Sequence, residues 1–321
     1  MNDNDEGILY VLDRAIRTEE LSPDGHFLLS VAEKVFGSEI SEVDGRKYVR
    51  ANSEVSQTCS KVVAFVTNSD LTFPAVSGAS RVEISQVYAS AIRTMCLRLW
   101  ADSRFLPVEN LRLYFPREPV HEVPWGAELV WHDQLKADTV PDWYVDAFNS
   151  LNQTRKDCFF ASYSFAMLFT FLHEVGHFKC GHFARNSSLD VSQKELEADR
   201  SAIVAMFNSQ HFIGLDRKNK NLTITQMALG LVATFVVFHL LLIRNSPATA
   251  GRVKHHGYPA VSERASQMIR MLSLRDKLVP EAWFGDVITV TRVLLDVASL
   301  HPAFGYVIGT GWIGHGYNST V

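Results

Sequence analysis

The sequence predicts a mainly helical α+β protein, with a small antiparallel sheet beside one strongly apolar helix. Three observations lead there. From about residue 143 onward, long stretches carry apolar residues at three- and four-residue spacing. Between residues 62 and 131, short runs rich in β-branched and aromatic residues recur. The 321 residues are 47% hydrophobic and 21% charged, which suits a globular protein and excludes a disordered, fibrous or disulfide-stapled one.

Taken in order, residues 1–60 read as polar and helical in pieces, at Ile8 to Ile16 and Phe27 to Val35. Val62–Val66, Arg81–Ile84, Leu111–Phe115 and Leu129–Trp131 read as strands, and Ser85 to Trp100 as a helix. Pro107, Pro116, Pro119, Pro124 and Pro141 make the stretch 107–141 extended and turning. Helices are predicted over Phe159 to Phe178, Ser192 to Phe207, Ala260 to Leu272 and Gly285 to Leu300, with a loop at Gly181–Asp190 and a loose, glycine-rich tail. The length suggests about two domains. The expected division is an N-terminal region, 1–105, of unassigned role and a catalytic domain, 106–321, unless the two form one continuous domain.

With 31 Lys+Arg against 35 Asp+Glu the net charge is −4, so the cationic excess of a nucleic-acid binder is missing and no nucleic-acid partner is expected. The four cysteines (Cys59, Cys96, Cys158, Cys180) form no CxxC pair, which favours a reducing compartment. The acidic start, Met-Asn-Asp-Asn-Asp-Glu, is unlike a secretory signal, so a cytoplasmic location is expected. Asn221–Ile243 is a run of 23 residues without a formal charge. It is long enough for a single span or an interfacial attachment at the inner membrane, yet a fully buried helix would look the same. Thr223, Thr225, Gln226, Thr234 and His239 favour the buried reading, and both stay open.

Chemistry concentrates in Phe171-Leu172-His173-Glu174-Val175-Gly176-His177-Phe178. On a helix His173 and His177 point about 40° apart and can grip one ion together. Zinc takes neutral imidazole ligands and keeps one coordination position for water in catalytic sites. Glu174 is placed to take a proton from that water as general base. A structural pair of core histidines is the bland alternative, but two imidazoles and a carboxylate among Phe and Leu would then need other partners.

Glu195, in Ser192-Gln193-Lys194-Glu195-Leu196-Glu197-Ala198-Asp199, is the favoured third ligand. Asp199 shares its face and can accept the free N–H of a ligand histidine, fixing its tautomer. Glu197 is the rival ligand; four residues on it finds only Ser201. Glu195 could also cap the helix as the partner of Ser192, although Asp190 with Gln193 offers a similar cap two residues earlier. The alternative pattern HExxHxxGxxH would need Gly at 180 and His at 183, where the chain has Cys180 and Phe183. His182 lies about 140° round an ideal helix from His177 and reads as a helix-terminating residue. Cys180 has a spacing that suits neither histidine. One Zn²⁺ with three protein ligands is the expected cofactor.

HEVGH followed by ELEADRSA resembles the HExxH … ExxxD pattern of thermolysin-like zinc peptidases. The wording E-x-x-A-D-x-x-A is most similar to the HtpX and CAAX-protease relatives and to the Lit-like phage-exclusion peptidases of bacteria. The resemblance covers about residues 160–270. It implies zinc binding by Glu195, orientation of a histidine by Asp199, and a protein or peptide substrate. Those families also carry a His-Pro … Arg element lining the site, matched in outline by His255-His256-Gly257-Tyr258-Pro259 … Arg264. Tyr258 replaces the histidine before proline, so Tyr258, His255 or His256 is a candidate donor to the tetrahedral oxyanion, beside the alternative of an exposed turn. With at most one span the chain suits the Lit-like group better than membrane-embedded enzymes, implying a role in phage defence by cutting a host protein.

The expected function is therefore a zinc metalloendopeptidase. A non-catalytic zinc-binding regulatory module is the alternative, and a membrane-attached scaffold with an accidental motif is the third reading. Structural zinc sites usually close with four protein ligands and favour cysteine, unlike this one.

Overall fold

The computed structural model describes residues 8, 10–52, 62–68, 75–78, 81–101, 142–183, 189–208, 217–245 and 261–275. Its architecture is α+β and mainly helical, as the sequence predicts. Ser22 opens α1 (Pro23–Phe36) by accepting from Gly25 N at 3.2 Å, and Gly37 ends it at φ +63°. A hairpin follows, in which β1 (Ile40–Val43) and β2 (Arg46–Arg50) pair antiparallel. Its turn, Asp44-Gly45, has φ of +48° and +67°, the positive pair that matches strand twist.

The sheet continues through β3 (Val63–Thr67), β4 (Ala75–Gly78) and β5 (Arg81–Ser85) in the order β1-β2-β3-β5-β4. It is mixed, not purely antiparallel as expected, because β3 and β5 run parallel. The physical reason is burial on both faces. Ala64 and Val66 enter the main core while Val63 and Phe65 pack with Leu12 and Ala15 on the other side, so Val-Ala-Phe-Val-Thr is an unbroken apolar run.

Two further expectations for the N-terminal region are corrected. The stretch before residue 51 contains β1 and β2 as well as helix. Ile8 to Ile16 makes one helical turn, with Leu12 N donating to Ile8 O at 2.9 Å, and then unwinds. The sheet captures its backbone instead: Ile16 N donates to Val66 O at 3.1 Å and Arg46 Nε to Ala15 O at 3.2 Å.

β5 runs directly into α2 (Gln86–Ala101), followed among the described residues by α3 (Asp142–Ser150), α4 (Gln153–Lys179), α5 (Val191–Phe207), α6 (Arg217–Asn245) and α7 (Val261–Arg275). Asn152 Oδ1 caps α4 by accepting from Arg155 N at 2.9 Å. α4 is the central element, packed against α1, α2, α5, α6 and the β4 edge of the sheet. One apolar cluster extends from Ile16 to Leu272. Asp24 of α1 is 2% exposed and ties three helices together, accepting from Ser90 Oγ of α2 and from Tyr163 OH of α4 at 2.8 Å, with Arg93 Nη2 at 3.3 Å.

Leu222–Leu241 of α6 is long and apolar enough to cross a membrane, and most of it is buried against other parts of the fold. The backbones of α6 and α4 approach closely, since a Cβ on Gly230 would lie 2.5 Å from Ser162 O. The expected strands Leu111–Phe115 and Leu129–Trp131, the proline-rich stretch 107–141, the helix Gly285–Leu300 and the glycine-rich tail lie outside the described residues.

Candidate metal centre

The last turns of α4 carry His173, Glu174 and His177, and α5 brings Glu195 and Asp199 against them. Asp190 caps α5 by accepting from Gln193 N at 2.7 Å, and Gln193 Oε1 accepts from Asp190 N at 3.1 Å. That reciprocal box leaves Glu195 free of the capping role. α5 can lie close to α4 because Gly176 has no side chain. A Cβ there would stand 3.0 Å from both the Cα and the carbonyl oxygen of Ala198.

The result is a tight three-residue cluster. His173 Nε2 and His177 Nε2 are 3.2 Å apart, Glu195 Oε2 is 3.4 Å from the first and Glu195 Oε1 is 3.5 Å from the second. Ligands 2.0–2.2 Å from a tetrahedral ion are separated by about 3.4 Å along each edge. The spacing and the chemistry of the donors therefore fit one zinc-sized ion. Glu197, the rival ligand, turns elsewhere and meets His182.

Asp199 stands behind His173, with Oδ1 2.9 Å from Nδ1, and is wholly buried. Its countercharge is Arg264 of α7, which donates through Nε to Oδ2 and through Nη2 to Oδ1, both at 2.8 Å. Arg264 Nη1 also lies 3.1 Å from Glu195 Oε2. The guanidinium is covered by the rings of Phe235 and Phe238 of α6, at 5.7 and 5.3 Å from their centroids. Burial works against the charged forms of Asp199 and Glu195, yet Arg264 and His173 hold both below the usual carboxylate range.

The two imidazoles are pushed in opposite directions. Burial pulls His173 down, but Asp199 and Glu195 together outweigh it and raise it to about 10. Burial and the neighbouring His173 charge lower His177 to about 4. Without an ion, His173 thus holds a proton at neutral pH and His177 does not. Ion uptake through His173 Nε2 must displace that proton. About one proton per ion is expected to be released at pH 7, with apparent affinity rising about tenfold per pH unit until His173 deprotonates. Calorimetry in buffers of different ionisation enthalpy measures this, and an affinity flat between pH 6 and 8 contradicts it.

Glu174 is 6% exposed on the turn between the histidines. Tyr88 of α2, 3% exposed, feels the charges of Arg264 and Glu174, and burial raises its phenol far above the usual value. His182, expected merely to end α4, is buried beyond it. Its Nδ1 is 2.9 Å from His177 Nδ1 and its Nε2 is 3.0 Å from Glu197 Oε2. Tyr258, His255 and His256 lie outside the described residues.

Two parts of this site escaped the reading of the sequence. Arg264 appeared there only as the end of an outline match, without its carboxylate partners. The contact of His182 with His177 is missed when His182 is placed by ideal helix angles, although the predicted loop opens at Gly181. Gly181, at φ +69°, breaks that course, and a Gly four residues after a ligand is the signal that could have exposed it.

Residues 127–283, just under half the chain, match the family model described as Peptidase U49. The match supports a peptidase, a hydrolase acting on protein or peptide. No curated protein and no solved structure matches the chain.

Proposed function

We propose that the protein is a zinc-dependent metallopeptidase whose ion is held by His173, His177 and Glu195. The observation that carries this is the donor triangle of three residues from two helices: the histidine Nε2 atoms are 3.2 Å apart, and the Glu195 oxygens Oε2 and Oε1 lie 3.4 Å from His173 and 3.5 Å from His177. The peptidase family match, independent of that geometry, agrees with it. An ion held there supplies Lewis acidity, lowering the proton affinity of water and polarising the scissile carbonyl.

The chain's own groups do the rest. Asp199 holds His173 through Nδ1, leaving Nε2 directed toward His177 and Glu195. Arg264 keeps Asp199 and Glu195 ionised in a buried setting. The Glu174 carboxylate accepts a proton from the water that attacks the peptide carbonyl. It then returns that proton to the amide nitrogen as the C–N bond breaks. Tyr258, His256 or His255 donates to the oxyanion of the tetrahedral intermediate. The substrate lies extended along β4, which among the described residues forms the sheet edge beside α4.

The resemblance to phage-exclusion peptidases extends the proposal to a role in bacterial phage defence, by cleavage of a host protein in the cytoplasm. The α6 helix serves this reading as the floor beneath Arg264, with any inner-membrane attachment secondary to that role.

Elemental analysis of the purified protein beside His173→Ala tests the proposal, together with hydrolysis of a labelled general protein substrate. One zinc per chain and hydrolysis are expected in the wild type, both lost in the variant. Hydrolysis that survives complete metal removal by a chelator would defeat it.

A further inference from the structure

We infer that Cys180, His182 and Glu197 form a second divalent-metal site, and that an ion there excludes the ion held by His173, His177 and Glu195. The inference rests on the metal reading of that first site. The Cys180 Sγ, a His182 ring nitrogen and a Glu197 carboxylate oxygen all lie within 4.8 Å of one another. His182 Nε2 and Glu197 Oε2 are 3.0 Å apart, close to the separation of two ligands on one ion. Gly181, at φ +69°, reverses the chain between Cys180 and His182 so that both face α5.

The second site differs from the first in access and chemistry. Cys180 is exposed and the Glu197 side chain is 43% exposed, on a surface cavity also lined by Lys179, Arg200, Ser201 and Val204. Ions therefore reach it directly from solvent. Thiolate, imidazole and carboxylate together favour zinc or cobalt over magnesium or calcium. Three protein ligands with an open side make an exchangeable site and not a structural one.

The exclusion follows from the single proton available between His177 Nδ1 and His182 Nδ1, which are 2.9 Å apart. When His177 Nε2 gives its lone pair to the first ion, His177 carries its proton on Nδ1 and donates to His182 Nδ1. His182 then carries its own proton on Nε2, directed at Glu197, and that nitrogen has no lone pair for a second ion. Conversely, an ion on His182 Nε2 moves the His182 proton to Nδ1. His177 must then accept at Nδ1 and carry its proton on Nε2, which faces His173 Nε2 at 3.2 Å. The two ion-bound states hold the same number of ring protons and differ only in where those protons sit. Each ion thus disfavours the other.

Cobalt separates the two sites, because only the second offers a thiolate. The metal-stripped full chain is titrated with Co²⁺ while thiolate-to-cobalt charge-transfer absorption is followed and bound ions are counted by equilibrium dialysis. In the wild type the first equivalent is expected to bind almost without that band. Exclusive sites share one ion in the ratio of their affinities whatever the cobalt concentration, so the band should stay weak throughout, with the count near one ion per chain. In His173→Ala, which weakens the first site, the band at saturation should strengthen about tenfold or more, still with about one ion per chain, within the usual range for coupled sites. Cys180→Ser should bind one ion and never show the band. Two ions bound together in the wild type, with the band at full strength, would overturn the exclusion. A band absent from both the wild type and His173→Ala would overturn the second site. A Cys180→Ser variant that binds no cobalt would instead overturn the first-site reading, and the exclusion with it.

Discussion

Glu174→Gln is expected to lower peptide hydrolysis by about 10²–10⁴-fold, the range that a positioned acid–base group contributes, while leaving metal content unchanged. Glutamine keeps the size and shape of the side chain, so the packing around this 6% exposed position is preserved. What it loses is the lone-pair basicity that takes a proton from water, and the ability to return it to the leaving nitrogen. The three residues of the donor triangle, His173, His177 and Glu195, are untouched by the change. Rates on a labelled protein substrate, with zinc counted in the same preparation, decide the matter. Wild-type turnover in the variant removes Glu174 from the mechanism, and loss of metal together with activity reassigns it to a structural role.

The second large effect is expected at Arg264→Ala, which should destabilise the metal-free protein by about 3–5 kcal/mol. Arg264 is 4% exposed and makes both N–H···O bonds to Asp199, itself wholly buried. Removing one member of such a pair strands the other as an uncompensated charge, which costs far more than the net worth of the pair. Arg264→Lys restores the charge but not the two-pronged geometry, so an intermediate loss is expected. Urea unfolding of the metal-free variants measures both. Stability within about 0.5 kcal/mol of wild type in the alanine variant would show that Asp199 finds another partner. Metal affinity should also fall, because Glu195 loses the Nη1 contact at 3.1 Å.

The helices of the second half were legible because their apolar spacing is local: the predicted Ser192 to Phe207 differs by one residue from the observed Val191–Phe207. Glu195 and Asp199 could be picked out for the same reason, since a four-residue interval places two carboxylates on one helix face. The β1–β2 hairpin was missed although Asp-Gly between Val43 and Arg46 is its ordinary turn signal; the strands beside it, Ile-Ser-Glu-Val and Arg-Lys-Tyr-Val-Arg, are short and partly polar. The parallel pairing of β3 with β5 depends on which strands meet, a long-range choice that no window of residues contains. Arg264 belongs to the same class. It meets Asp199 across 65 residues of chain, and no periodicity links them. The pairing of His182 with His177 depends on one glycine leaving the helix, a single backbone dihedral among many.

Gly176 and Ala198 stand face to face where the two ligand-bearing helices touch. Because main chain rests on nearly bare main chain there, the bite of the donor triangle is gauged by peptide planes and not by rotatable groups. Rotamer hopping elsewhere in the core cannot widen that jaw, so its selectivity for ionic radius is built into the spacing of two rods. Even one added methyl group at the contact would re-cut the gauge without touching any residue that grips the ion.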